Sequence, residues 1–330
     1  MMRISMIAIG SIVLVSGCSE QQESATDESL VNVSSVAERE ASREASLSAV
    51  VEGFEEFRAS TYREPFDGGG YIVSGDIHLA TDADLREFYE KWLVQSAAND
   101  LTNDIPETEE EFAVDSAAFT IGTVHGYNDV WPDDQKVRLT YCVSSTFEDD
   151  YGRVLDAMAA AASRWEQFAE VDFIHTVEED QDCDRLNSSV VFDVRPVDVA
   201  GEYLARAFFP SYARGSRNVL IDASAMVHPN EGNGLTLTGI LRHELGHVLG
   251  ARHEHVRPQA GACFEDSDWR PVTDYDPYSV MHYPQCNGLG DWTLTLTELD
   301  QNGVACVYGA APNFSHNPGL CQSILPQRGG

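Results

Sequence analysis

The eleven residues from His243 to His253 could hold a metal ion and place a base beside it. They read H-E-x-x-H-x-x-G-x-x-H, with His243, His247 and His253 as nitrogen donors and Glu244 next to the first. On a helix, positions four apart share a face, so His243 and His247 can reach one ion. The Glu244 carboxylate then reaches a water at that ion rather than the ion itself. Gly250 lets the chain leave the helix through a conformation that residues with a Cβ dislike, and the turn brings His253 round as third donor. Three protein ligands leave a fourth position open, the mark of a reactive Zn2+ rather than a structural one. Such an ion acidifies water, and Glu244 is the general base that takes the proton. The competing reading is a helix with solvated histidines, which the spacing disfavours.

The elements that must position these residues are legible from about Lys136 onward. Strand patterns at 137–143, 171–177, 189–194, 204–209 and 218–221 alternate with a long alanine-rich helix at 151–169. The zinc helix runs from Thr236 to about Leu249, and a last helix is expected over 297–308. This order predicts an α+β fold: a twisted, mostly parallel sheet with an antiparallel edge strand, a backing helix, the zinc-binding helix and a loop-rich C-terminal subdomain. Upstream, Tyr71 to Val73 has strand character and 84–96 reads as a helix, while 99–116 is acidic and loop-like. With the resemblances described below, the domain reading is 1–17 export signal, 18–52 tether, 53–133 a pro-segment as those resemblances imply, 134–311 catalytic domain and 312–330 tail.

Composition narrows the setting. The chain of 330 residues is 43% hydrophobic, enough for a sizeable core. Its 54 acidic against 21 basic residues give a formal charge of −33, which repels nucleic-acid phosphates, so no nucleic-acid partner is expected. Ile4 to Val15 is an apolar run too short to span a bilayer, preceded by Arg3 and followed by Ser16-Gly17-Cys18. The run resembles the lipobox of bacterial lipoproteins, which implies lipid on Cys18, outer-membrane placement and membrane contact through that lipid alone. An ordinary secretory signal is the other reading. Setting Cys18 aside from the seven cysteines leaves Cys142, Cys183, Cys263, Cys286, Cys306 and Cys321. In an exported chain these imply disulfides, and nearest-neighbour pairing is expected.

The zinc motif together with Ser279-Val280-Met281-His282-Tyr283 resembles the metzincin zinc endopeptidases, and most of all the astacins. The second segment is similar to their Met-turn, which implies that Met281 forms an apolar floor under the histidines. The astacin motif continues H-E-H-x-x-R, matched here by His253-Glu254-His255 with Arg257 one position early. Ala251 and Pro258-Gln259-Ala260 depart from the astacin pattern. The resemblance implies cleavage of protein or peptide substrates by a monomer with one catalytic Zn2+ ion. Tyr283 would ligate zinc at rest and swing away to bind the oxyanion, or else simply pack against the helix. Glu254 would anchor a new N-terminus, or be a solvated acid. The 204–209 segment resembles the edge strand that pairs with substrate, where Arg206 and Arg214 could tune preference. His78, His125, His175, His228 and His316 lack metal-like spacing.

Ser74-Gly75-Asp76-Ile77 resembles the propeptide segment whose aspartate fills the open zinc position in astacins, with Val73 in place of phenylalanine. Asp76 is then a latch, and cleavage near 120–136 would both activate and release the catalytic domain. A common Gly-Asp turn is the alternative. Two rival functions remain, a zinc amidase acting on cell-wall peptides and an idle zinc-binding surface protein.

Overall fold

The computed structural model describes residues 53–103, 119–227 and 234–322. The expected signal, tether and Cys18 lie outside them, as does the end of the tail. The first part begins with a helix over 53–60 (α1). Three short antiparallel strands follow, β1 (Tyr62–Arg63), β2 (Tyr71–Val73) and β3 (Ile77–Leu79), then α2 (Asp82–Asn103). Phe54, Tyr71, Val73, Ile77, Leu85, Phe88 and Tyr89 bury one another in a core of their own, which Phe209 joins from downstream.

Helix α2 is longer than the 84–96 read from periodicity. Its start is set by Thr81 and Asp84, which exchange hydrogen bonds: Asp84 N donates to Thr81 Oγ1 at 3.1 Å and Thr81 N to Asp84 Oδ2 at 2.9 Å. This reciprocal cap opens the helix ahead of its first apolar residue. Beyond 96 no glycine or proline intervenes before Pro106, so the helix runs into the acidic stretch.

The chain next forms β4 (Thr120–Val124), β5 (Tyr127–Asn128) and α3 (Asp133–Lys136). Strand β4 pairs with β5 and, on its other side, with β11 (Trp269–Pro271). Phe119, Ile121 and Trp131 are buried in the main core, and Trp131 Nε1 donates to Val248 O at 2.7 Å. The 53–133 stretch thus divides between two cores, because its later aromatic residues have a larger apolar surface to cover. The segment between them, 104–118, lies outside the described residues.

The main sheet contains β6 (Leu139–Val143), β7 (Phe173–His175), β8 (Phe192–Val197), β9 (Ala205–Arg206) and β10 (Asn218–Asp222) in the order β7-β6-β8-β10-β9. All pairings are parallel except that of β9 with β10. This is the α+β arrangement expected, with β9 as antiparallel edge strand. Helix α4 (Tyr151–Glu166) buries Val154, Ala157, Met158, Ala161, Ala162 and Trp165. It packs on β6 and β7 and, on another side, on α6. After the short α5 (Ser224–Val227), α6 (Leu237–Val248) begins at Thr236, whose side chain accepts from Gly239 N at 2.9 Å. Trp165 Nε1 donates to Arg242 O at 2.9 Å, joining α4 to α6. Helix α7 (Glu298–Tyr308) closes the fold. Disulfides join Cys142 to Cys183, Cys263 to Cys286 and Cys306 to Cys321, which fits an oxidising compartment. Among the described residues no helix is long and apolar enough to cross a membrane.

The turn after α6 is what delivers His253. Gly250 has φ of 85°, and a Cβ there would run into Asp129 O. Its own carbonyl accepts from Gly122 N at 2.8 Å, which holds the turn against β4. Gly250→Ala is therefore expected to lower stability by about 2 kcal/mol or more, from positive φ and collision together. Urea unfolding should register it as a lower midpoint with unchanged slope.

Candidate metal centre

Each histidine of the motif has one ring nitrogen engaged by an acceptor. His243 Nδ1 donates to Val280 O at 2.7 Å, His247 Nδ1 to Ala251 O at 2.8 Å and His253 Nδ1 to Glu265 Oε1 at 2.5 Å. In the neutral ring this leaves every Nε2 as a lone pair. All three Nε2 atoms point at Asp76, which β2 and β3 present on a turn through Ser74 and Gly75, both at positive φ. The distances are 3.2 Å from His243, 3.6 Å from His247 and 3.2 Å from His253. The four ligand atoms lie within 4.8 Å of one another, and all four residues are buried. Among the described residues His247 Nε2, His253 Nε2 and Asp76 Oδ1 have no hydrogen-bond partner.

Three lone pairs and a carboxylate facing one buried point repel one another unless positive charge joins them. With protons alone, that charge must come from the imidazoles. Burial lowers His253, but the charges of Asp76 and Glu265 outweigh it and push the ring up to about 10. Burial likewise favours a neutral Asp76, yet the charges of His253 and His247 and a hydrogen bond from His243 hold it well below the usual carboxylate range. A divalent ion would supply the charge from one point and satisfy all four groups. The residues present fit Zn2+, with nitrogen donors from His243, His247 and His253 and an oxygen from Asp76.

Glu244 lies beside this cluster, 3% exposed, and its Oε2 has no partner among the described residues. Burial pushes its carboxyl well above the usual range, and the Asp76 charge adds to the shift. Tyr283 donates from its hydroxyl to Asp76 Oδ2 at 2.5 Å, and its ring stacks on His243 at 5.4 Å. Met281 sits under α6 at Gly246, where a Cβ would collide with the Met281 Sδ. A small residue at that point lets the thioether approach beneath the histidines.

Residues 130–260 match the family model described as Matrixin. With the histidine geometry, this match supports a metzincin. The centre resembles theirs. Solved structures similar to the chain include that of myroilysin, at 17% identity and a TM-score of 0.39, covering 57% of this chain and 98% of that one. Another is high choriolytic enzyme 1, a hatching-enzyme zinc protease from the medaka Oryzias latipes, at 16% identity and a TM-score of 0.34. That match covers 54% of this chain and 94% of the other. No curated protein matches the chain.

Around the metzincin-like centre, other charged groups that had been open questions have settled places. Glu254 is fully buried rather than solvated, accepting from Thr120 Oγ1 at 2.8 Å and Asp276 N at 3.2 Å and ion-paired with Arg257, whose Nε lies 3.0 Å away. Burial pushes its carboxyl up to about 8. His255 and His282 are buried too, His255 stacked on His253 and His282 hydrogen-bonded to the Tyr275 hydroxyl at 2.9 Å. His175 contacts Asp180, and His78 is buried in the upstream part. His316 lies by the Cys306–Cys321 disulfide, whose sulfurs offer no thiolate. Arg214 turns away, bound to Asp193 and to the carbonyls of Asn187 and Val190.

Two supporting carboxylates carried no signal in the sequence. Glu265 is fully buried and joins His253 to Arg252 at 2.7 Å. Asp300 accepts from Ser279 Oγ at 2.6 Å, Val280 N at 2.9 Å and Thr297 N at 3.0 Å, tying the Met-turn to the cap of α7. Burial pushes Asp300 up to about 6 against those three bonds. A folded pKa above the unfolded value means a stability contribution complete below the unfolded pKa and lost as pH rises through the folded one. The stability of the wild type relative to Asp300→Asn should therefore fall as pH rises from about 4 to about 6 and then level off. Parallel denaturation series across that range read it directly.

Proposed function

We propose that the chain is a zinc metalloendopeptidase of astacin-like type, made as a latent precursor and exported. The observation that carries this reading is the Asp76 carboxylate set among the Nε2 atoms of three histidines, with Glu244 buried beside them. His243, His247 and His253 would hold the ion. When bound, Zn2+ supplies a Lewis acid beside the scissile carbonyl and acidifies the attacking water.

The chain's own residues do the rest. Glu244 takes a proton from water as its oxygen bonds to the carbonyl carbon. The Tyr283 hydroxyl, freed from Asp76, donates to the oxyanion of the tetrahedral intermediate. The C–N bond then breaks, and Glu244 delivers its proton to the leaving amine. A carboxyl that burial holds above its ordinary range is suited to both transfers.

Asp76 occupies the position that water and substrate need, so the upstream part acts as an inhibitory pro-segment. The two-core arrangement favours a boundary within 104–118 rather than near 133, because 119–131 is built into the main core. If Cys18 carries lipid, a cut there both activates the enzyme and frees it from the membrane.

A casein assay tests the reading. The intact, zinc-loaded chain should hydrolyse casein poorly, and a cut within 104–118 or the variant Asp76→Ala should raise the rate. A chelator should abolish turnover and added zinc restore it. Glu244→Ala should lower kcat by about 100-fold or more at unchanged zinc content. Full turnover in that variant would end the mechanism.

A further inference from the structure

Twelve residues before Asp76, the same upstream part places a second carboxylate in the catalytic half. Glu64, next to β1, is 4% exposed and meets Arg206 of edge strand β9, which is 1% exposed. The two form a bidentate pair. Arg206 Nε donates to Glu64 Oε1 at 2.6 Å and Nη2 to Oε2 at 2.9 Å. Tyr203 adds its hydroxyl to Oε1 at 2.5 Å, and Gly70 N donates to Oε2 at 3.0 Å.

Of these four donors only Gly70 belongs to the upstream part. The other three stay with the catalytic half when that part leaves. Within its own half Arg206 has one further partner, Asn218 Oδ1 at 2.8 Å. Removing the pro-segment would leave the Arg206 guanidinium with its fork-shaped pair of donors unfilled. A planar fork of that kind favours a carboxylate that can accept from both donors at once. Arg206 lies on the edge strand along which an extended peptide would bind.

We propose that Arg206 and Tyr203 form a subsite for a glutamate or aspartate side chain of the substrate, and that Glu64 occupies it in the precursor. The inference rests on the peptidase reading above. The pro-segment then covers both the metal ligands and a specificity pocket, with one carboxylate at each.

The test uses the full chain, zinc-loaded and nicked within 104–118, on peptide pairs that differ by glutamate or glutamine at one position. At one position kcat/KM for the glutamate peptide should exceed that for the glutamine peptide about tenfold or more. High salt should shrink the ratio. In Arg206→Gln the ratio should fall to about one, and Arg206→Lys should restore part of it. Because that arginine is buried, Glu64→Gln gives an independent reading from an unaltered catalytic half: the nicked pro-fragment should dissociate faster than in the wild type.

Peptide cleavage by the wild type with equal kcat/KM at every position would refute the subsite and leave the peptidase reading standing. An acidic preference undiminished in a folded Arg206→Gln would assign it to other residues, and unchanged fragment dissociation in Glu64→Gln would remove Glu64 as the occupant. Failure to cleave any peptide would overturn the peptidase reading, and this inference with it.

Discussion

Charge neutralisation at one buried point governs this structure. Three imidazoles, each with Nδ1 already engaged, turn their remaining lone pairs towards a carboxylate in a buried space. Nothing in protein chemistry favours that grouping except a cation, either protons on the rings or a metal ion. The low-dielectric surroundings make the demand severe, since uncompensated charge is costliest there. The position of Asp76 follows from how that demand is met, while burial raises the carboxyl of Glu244 beside it.

The scaffold exists to hold those imidazoles still. Helix α6 is fixed on one side by α4 through Trp165 and on the other by the Met-turn, which Asp300 ties to the cap of α7. Gly246 and Gly250 serve opposite ends of that arrangement, the first admitting Met281 and the second turning the chain back towards β4. The upstream part is anchored on this scaffold by Asp76 at the histidines and Glu64 at Arg206, so it covers the reacting centre and the edge strand together.

Local patterns made much of this legible beforehand. The histidine spacing, the five-residue Met-turn segment around Met281, the strand at 71–73 and the start of α6 at Thr236 all depend on residues near one another in the chain. What stayed hidden depends on distance. Glu64 and Arg206 are 142 positions apart, and no periodicity links them. Asp300 and Ser279, or Glu265 and His253, meet only through loops whose path composition does not fix. The assignment of 119–131 to the main core was likewise decided by tertiary burial of Phe119, Ile121 and Trp131. Helix α2 ran past its apolar periodicity because nothing in 97–103 stops a helix.

In the proposed latent form one zinc ion is shared by three imidazoles and the Asp76 carboxylate. X-ray absorption at the zinc edge, on the intact chain after metal titration, tests this most directly. One zinc per chain with three imidazole nitrogens and an oxygen ligand is expected, with a change in that oxygen shell in Asp76→Ala. A zinc environment that is identical in the two proteins, or containing sulfur, would contradict it.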